Sequence, residues 1–70
     1  MPKKIRELKA ELRKAGFTVR SGKGSHTVWS HLRLSTNVTL SGNDGDDAKR
    51  YQEKDVRQIL RQLESLEDQT

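Results

Sequence analysis

Two amphipathic stripes at opposite ends of a seventy-residue chain limit its fold more than any other feature. Near the start, Ile5, Leu8, Leu12 and Ala15 recur at offsets of three, four and three. Near the end, Val56, Ile59, Leu60 and Leu63 repeat a three- and four-residue spacing. Each spacing gathers its apolar side chains on one face of an α-helix. The first helix is predicted from about Pro2 to Ala15, with Pro2 in the first turn, where its missing N–H costs nothing. Gly16 then reads as the left-handed residue just past the helix, and Phe17 folds back on Leu12 in a Schellman arrangement. The second helix is predicted to begin near Gln52, with Glu53 and Asp55 complementing the dipole of its first turn. No Ser, Thr, Asp or Asn marks its start. Leu66 to Thr70 has no capping glycine and should fray. One domain is therefore expected over residues 1–66, with a frayed tail over 67–70.

The segments between the helices alternate with period two. Phe17 to Ser21 reads as one half-buried strand and His26 to His31 as the next. Gly22-Lys23-Gly24 between them is predicted to be a three-residue hairpin loop, with glycine supplying the positive φ. That loop sets Ser21 opposite Ser25, Arg20 opposite His26, Val19 opposite Thr27 and Phe17 opposite Trp29. Opposed residues share a face. Phe17, Val19, Thr27 and Trp29 should then point to the helices, and Thr18, Arg20, His26, Val28 and Ser30 to the open side. A one-residue change of loop length would exchange the two faces, burying His26 and exposing Trp29. Asn37 to Leu40 gives a third strand, with Val38 and Leu40 inward. Ser41 to Asp47 is a polar, acidic loop without the ligand spacing of a calcium-binding EF-hand loop, and reads as solvated. The order is α-β-β-β-α. It predicts an α+β fold of two layers, both helices on one face of a three-stranded antiparallel sheet. This is also the layout of the double-stranded-RNA-binding domain.

Charge is unevenly spread. Residues 1–33 hold nine Lys and Arg against two acids, or +7, and residues 34–70 hold five against eight, or −3, which together make the net +4. A basic half is the electrostatic footprint of a polyanionic partner. The chain has no cysteine, which rules out disulfides and thiolate metal sites. No apolar run approaches the ~20 residues of a membrane span, and the Lys-rich start leads into helix rather than a signal peptide. A cytoplasmic protein with no membrane partner is expected.

His26 is the residue with most chemical potential. An imidazole suits proton transfer near neutral pH. The Gly22-Lys23-Gly24-Ser25 turn before it offers backbone N–H groups and an ammonium to an anion such as phosphate, and Arg20 is predicted beside it. His31, at an odd offset of five, should point to the opposite face, so the two histidines are paired neither as acid and base nor as metal ligands. Ser25 adjoins His26 and points away, so no Ser/His/Asp triad arises. Trp29 is placed in the core rather than on the surface as a base-stacking platform.

The segment Gly22-Lys23-Gly24-Ser25-His26, with aromatic Trp29 and His31 after it, resembles the signature of the HicA toxins, small ribonucleases of toxin–antitoxin pairs. The resemblance extends to the Lys-rich first helix ending Ala15-Gly16-Phe17 and to Val56-Arg57-Gln58-Ile59-Leu60 in the last. It implies a fold like the double-stranded-RNA-binding domain and cleavage of mRNA without a metal or other cofactor. It implies His26 as the catalytic acid/base and an antitoxin of the HicB type that masks the site. On this reading Arg20, Lys23 and the Gly22/Gly24 backbone hold the phosphate together with Ser25, and Lys9 and Arg13 add sequence-independent contacts to RNA. The chain departs from the family pattern in two places. The acidic Ser41–Asp47 loop stands where a basic, proline-containing segment is usual, and Leu32 stands where a proline commonly follows the second histidine. The competing functional classes are a non-catalytic RNA-binding module and an interaction protein whose open sheet face serves mainly to dock an antitoxin.

Overall fold

A computed structural model of the chain describes residues 2–68. It contains helix α1 (Ile5–Lys14), strands β1 (Thr18–Ser21), β2 (Thr27–Ser30) and β3 (Val38–Leu40), and helix α2 (Arg50–Asp68). The strands form one antiparallel sheet in the order β1-β2-β3. The expected α-β-β-β-α order and α+β class are thus observed. Both helices lie on the sheet face that carries Trp29, Val38 and Leu40, which are buried together with Ile5, Leu8 and Leu12 of α1 and Val56, Ile59 and Leu63 of α2. Leu60, the fourth member of the second stripe, is only half-buried at the core's margin.

The hairpin corrects the expected pairing. Ser21 faces Thr27, Arg20 faces Val28 and Val19 faces Trp29, each two positions from the partner expected on β2. The turn is Lys23–His26 rather than Gly22-Lys23-Gly24. It is closed by the His26 N–H donating to the Lys23 carbonyl at 3.0 Å, with Gly24 at φ +59° in the left-handed region. Because the slip is by two residues, parity survives, and the division of residues between the two faces is the expected one. Val19 shares Trp29's face yet remains 45% exposed. Helix α2 packs on α1 and β3, which leaves the far edge strand β1 uncovered.

Helix α1 begins three residues later than expected, at Ile5, so Pro2 lies outside it. The acidic loop sets this boundary. The N–H groups of Ile5 and Arg6, which have no partner within a helix's first turn, donate to the carbonyls of Asp46 (2.9 Å) and Asp44 (3.1 Å). The Ala48 N–H in turn donates to the Lys3 carbonyl at 2.7 Å. The side chains reinforce the same contact, with Lys9 paired to Asp44 and Lys4 to Asp47. The loop expected to be merely solvated therefore seats the start of α1. At the other end of α1 the Schellman arrangement is present. Phe17 N–H donates to the Leu12 carbonyl and Gly16 N–H to that of Arg13, both at 3.0 Å, with Gly16 at φ +96°.

Both helices start on a lysine, and both borrow their cap from the third helical residue. The Lys4 N–H donates to the Glu7 carboxylate (2.8 Å), and the Lys49 N–H to the Gln52 amide oxygen (2.8 Å). Each is the returning half of a capping box. This explains how α2 begins at Arg50 without a conventional N-cap residue. Helix α2 continues through Glu67 and Asp68. The fraying expected over 67–70 otherwise falls on Gln69 and Thr70, which lie outside the described residues.

The Lys9 ammonium holds the Asp44 carboxyl below its ordinary value of 3.8, first by hydrogen bonding and then by its charge. Arg13 and Arg6 pull the same way. A carboxyl lowered on folding adds stability above its unfolded value, and that stability is lost as pH falls through the folded one. Asp44 should thus titrate below the ordinary aspartate range in a carbon-detected NMR titration, and Lys9→Ala should return it toward that range.

Candidate active site

His26 sits immediately before β2, exposed, at the end of its turn. Its backbone is fixed on both sides: the Gly22 N–H donates to its carbonyl at 2.8 Å, and its own N–H closes the turn. Gly22 is close enough that an added Cβ would stand 3.4 Å from the His26 Cβ. That is ordinary van der Waals contact with the start of the histidine side chain. Gly22 bears on His26 through its backbone, and its N–H is already engaged. The N–H groups of Lys23, Gly24 and Ser25 have no acceptor among the described residues, so these three can meet an anion. The Ser25 hydroxyl oxygen accepts from the Gly42 N–H at 3.0 Å, which ties the turn to the loop after β3.

Arg20 is not directly opposite His26 as expected. Val28 takes that place, and Arg20 lies one diagonal step away on the same face. A long side chain reaches across such a step. Neither Arg20 nor Lys23 makes an ion pair among the described residues. Lys9 and Arg13 are placed differently. Lys9 is held by Asp44 at 2.6 Å, and the Arg13 guanidinium lies 5.3 Å from the centre of the Trp29 ring. The structure brings neither of them to His26.

The second histidine points away, as its parity requires. The His31 and Phe17 rings pack in a T-shaped arrangement with centroids 5.2 Å apart, and the His31 Nδ1 accepts from the Arg33 N–H at 3.0 Å. Trp29 is fully buried, and its Nε1–H donates to the Thr27 hydroxyl at 2.9 Å. Among the described residues, no group of three His, Cys, Asp or Glu side chains is placed to hold a metal ion, and no helix is long and apolar enough to cross a membrane.

The structure adds a feature that the sequence reading missed. Beside His26 lies an open groove of about 520 Å³ between β3 and one side of α2. The helix contributes Tyr51, Asp55, Gln58 and Gln62 over a buried Ile59. The sheet side contributes Asn37, Thr39 and Ser41. Continuing the β2–β3 register past the strand ends sets His26 beside Ser41. Gln52 fixes this end of the groove. Its side chain is 2% exposed, and its amide nitrogen donates to the Ser41 carbonyl at 2.9 Å while its oxygen caps α2. The signal that could have found the groove was the polar spacing of Tyr51, Asp55, Gln58 and Gln62, which is a helical stripe of its own. Gln52→Leu keeps the bulk but strands the Lys49 N–H and the Ser41 carbonyl. It should lower the unfolding free energy by about 1–3 kcal/mol in urea denaturation.

The site combines an exposed imidazole, a turn with free N–H groups, two unpaired cations and a polar groove. No curated protein and no solved structure matches the chain. A family model described as the HicA toxin of bacterial toxin–antitoxin systems does match, over residues 5–64, a span that runs from the first residue of α1 into the last turns of α2 and contains the whole His26 hairpin. The chain therefore belongs to the HicA toxin family, and with it to toxin–antitoxin systems in which a toxin is paired with an antitoxin partner.

Proposed function

We propose that this chain is an endoribonuclease that cleaves mRNA using His26 as its general acid/base and no metal. The observation that carries the reading is the placement of His26. Its imidazole is exposed at the end of a turn whose free N–H groups and lysine can hold a phosphate, with a groove beside it for the adjoining RNA. The nucleophile is then the RNA's own 2′-hydroxyl. It attacks the neighbouring phosphorus, and the bond to the 5′-oxygen of the next nucleotide breaks. The products are a 2′,3′-cyclic phosphate and a free 5′-hydroxyl. His26 takes the 2′-hydroxyl proton or delivers one to the leaving 5′-oxygen. Lys23, the Gly24 and Ser25 N–H groups and Arg20 meet the charge that develops on the phosphate oxygens. Gly22 contributes by holding the His26 carbonyl with its N–H, which is therefore not free for the phosphate. Lys9 and Arg13 take a lesser part, since Asp44 and Trp29 already occupy them.

An antitoxin of the HicB type fits the same surface, because covering His26 and its turn would block RNA. The test is incubation of purified protein with RNA in a chelating buffer, followed by analysis of the product ends. The expected products carry 2′,3′-cyclic phosphates and 5′-hydroxyls. Binding without cleavage would replace this reading with that of a non-catalytic RNA-binding module.

A further inference from the structure

We propose that the groove between β3 and α2 is a nucleobase subsite, which takes the base of a single-stranded nucleotide next to the phosphate at His26 and prefers bases that carry an amino group. This rests on the ribonuclease reading for the position of the phosphate and goes beyond it in assigning base recognition to α2.

The charge of the groove makes the first argument. Lys and Arg make up 14 of the 70 residues, yet none lines it. Its one charged side chain is Asp55, which repels phosphate. A sugar–phosphate backbone belongs with Lys23 and Arg20, and the groove is left for the neutral part of a nucleotide. Its polar groups make the second argument. Asn37, Gln58 and Gln62 each offer an amide, with two donors on nitrogen and an acceptor on oxygen. Single-stranded bases are read on their edges by side chains of this kind. The Gln62 amide oxygen accepts from the Thr36 hydroxyl at 3.2 Å, which orients that amide at the far end.

Tyr51 supplies the third argument. It is 54% exposed in the first turn of α2, at the His26 end of the groove, where a ring can stack on a base. From Tyr51 to Gln62 the helix advances about 16 Å, so the groove is long enough to hold a base beside the reacting phosphate. Asp55 sets the preference. A carboxylate only accepts hydrogen bonds, and it pairs with exocyclic amino groups such as that of cytosine. Uracil has no such group.

The test uses the isotope-labelled full chain and short uncleavable 2′-O-methyl oligonucleotides with one variable base, plus an abasic version with the same phosphates. The Asn37, Gln58 and Gln62 side-chain amide signals should shift with base-bearing oligonucleotides and stay still with the abasic one. Cytosine should bind about tenfold more tightly than uracil. Asp55→Asn should remove that difference while the fold, read from the backbone signals, is unchanged. Tyr51→Ala should weaken every base alike. Equal affinity for abasic and base-bearing oligonucleotides would overturn the proposal, as would amide signals that move only when an antitoxin is added. Because binding is read without cleavage, base recognition in a protein that fails to cut RNA would sink the ribonuclease reading and leave this one standing.

Discussion

Replacing His26 with alanine is expected to slow RNA cleavage by about 10²–10⁴-fold, the usual contribution of a positioned acid/base, and to leave the unfolding midpoint where it was. The two halves of this expectation come from different atoms. The imidazole is exposed and outside the core cluster, so its removal opens no cavity. The contacts that shape the hairpin are made by the His26 backbone, which accepts from Gly22 and donates to Lys23, and alanine keeps both. A loss of activity would therefore report chemistry rather than unfolding. His26→Gln separates the roles further. Glutamine still donates and accepts hydrogen bonds but does not shuttle a proton at neutral pH, so it should be as inactive as alanine. Substantial cleavage by the glutamine variant would reduce His26 to a positioning role, and unchanged cleavage by the alanine variant would remove it from the mechanism.

The sequence showed which faces the residues of the sheet occupy but not which residues pair. Parity explains the difference. Trp29 and Phe17 could be placed on one face and His26 on the other because any even slip preserves that division. The turn itself depends on where one glycine adopts a left-handed φ, and two were available, Gly22 and Gly24. The structure uses Gly24 for the conformation, while Gly22 serves only as the N–H donor to the His26 carbonyl. The helix starts were hidden for another reason. Glu7 and Gln52 look like ordinary surface residues of a helix, and only the path of the preceding backbone turns them into caps. The acidic loop is the plainest case. Its composition suggested solvent, whereas its carbonyls cap α1 across some forty residues of sequence, a contact that no local pattern encodes. The groove was missed for the same kind of reason. His26 and Tyr51 are 25 positions apart, and only the packing of α2 along β3 brings both to one cavity.

The complementary experiment is on Trp29, where alanine should cost about 3–5 kcal/mol. That is a large part of the total for a small domain, and at roughly 4–8 °C per kcal/mol it should lower the melting temperature by more than ten degrees. Trp29 is fully buried at the centre of the sheet, between residues of both helices, with Arg13 over its ring. Trp29→Phe keeps much of the apolar surface and should cost less. Thr27→Val tests the polar end of the same side chain. It removes the hydroxyl that accepts the indole N–H and leaves that N–H buried without a partner, at a cost of about 1–3 kcal/mol. Had Trp29 been a surface platform for bases, alanine would weaken RNA binding and leave stability intact. Trp29 and His26 are three residues apart on adjoining, alternating backbone, so one parity decides both. A register that exposes the histidine must bury the tryptophan. Loss of stability at Trp29 with retention at His26 is thus the same structural statement, tested once from each face of the sheet.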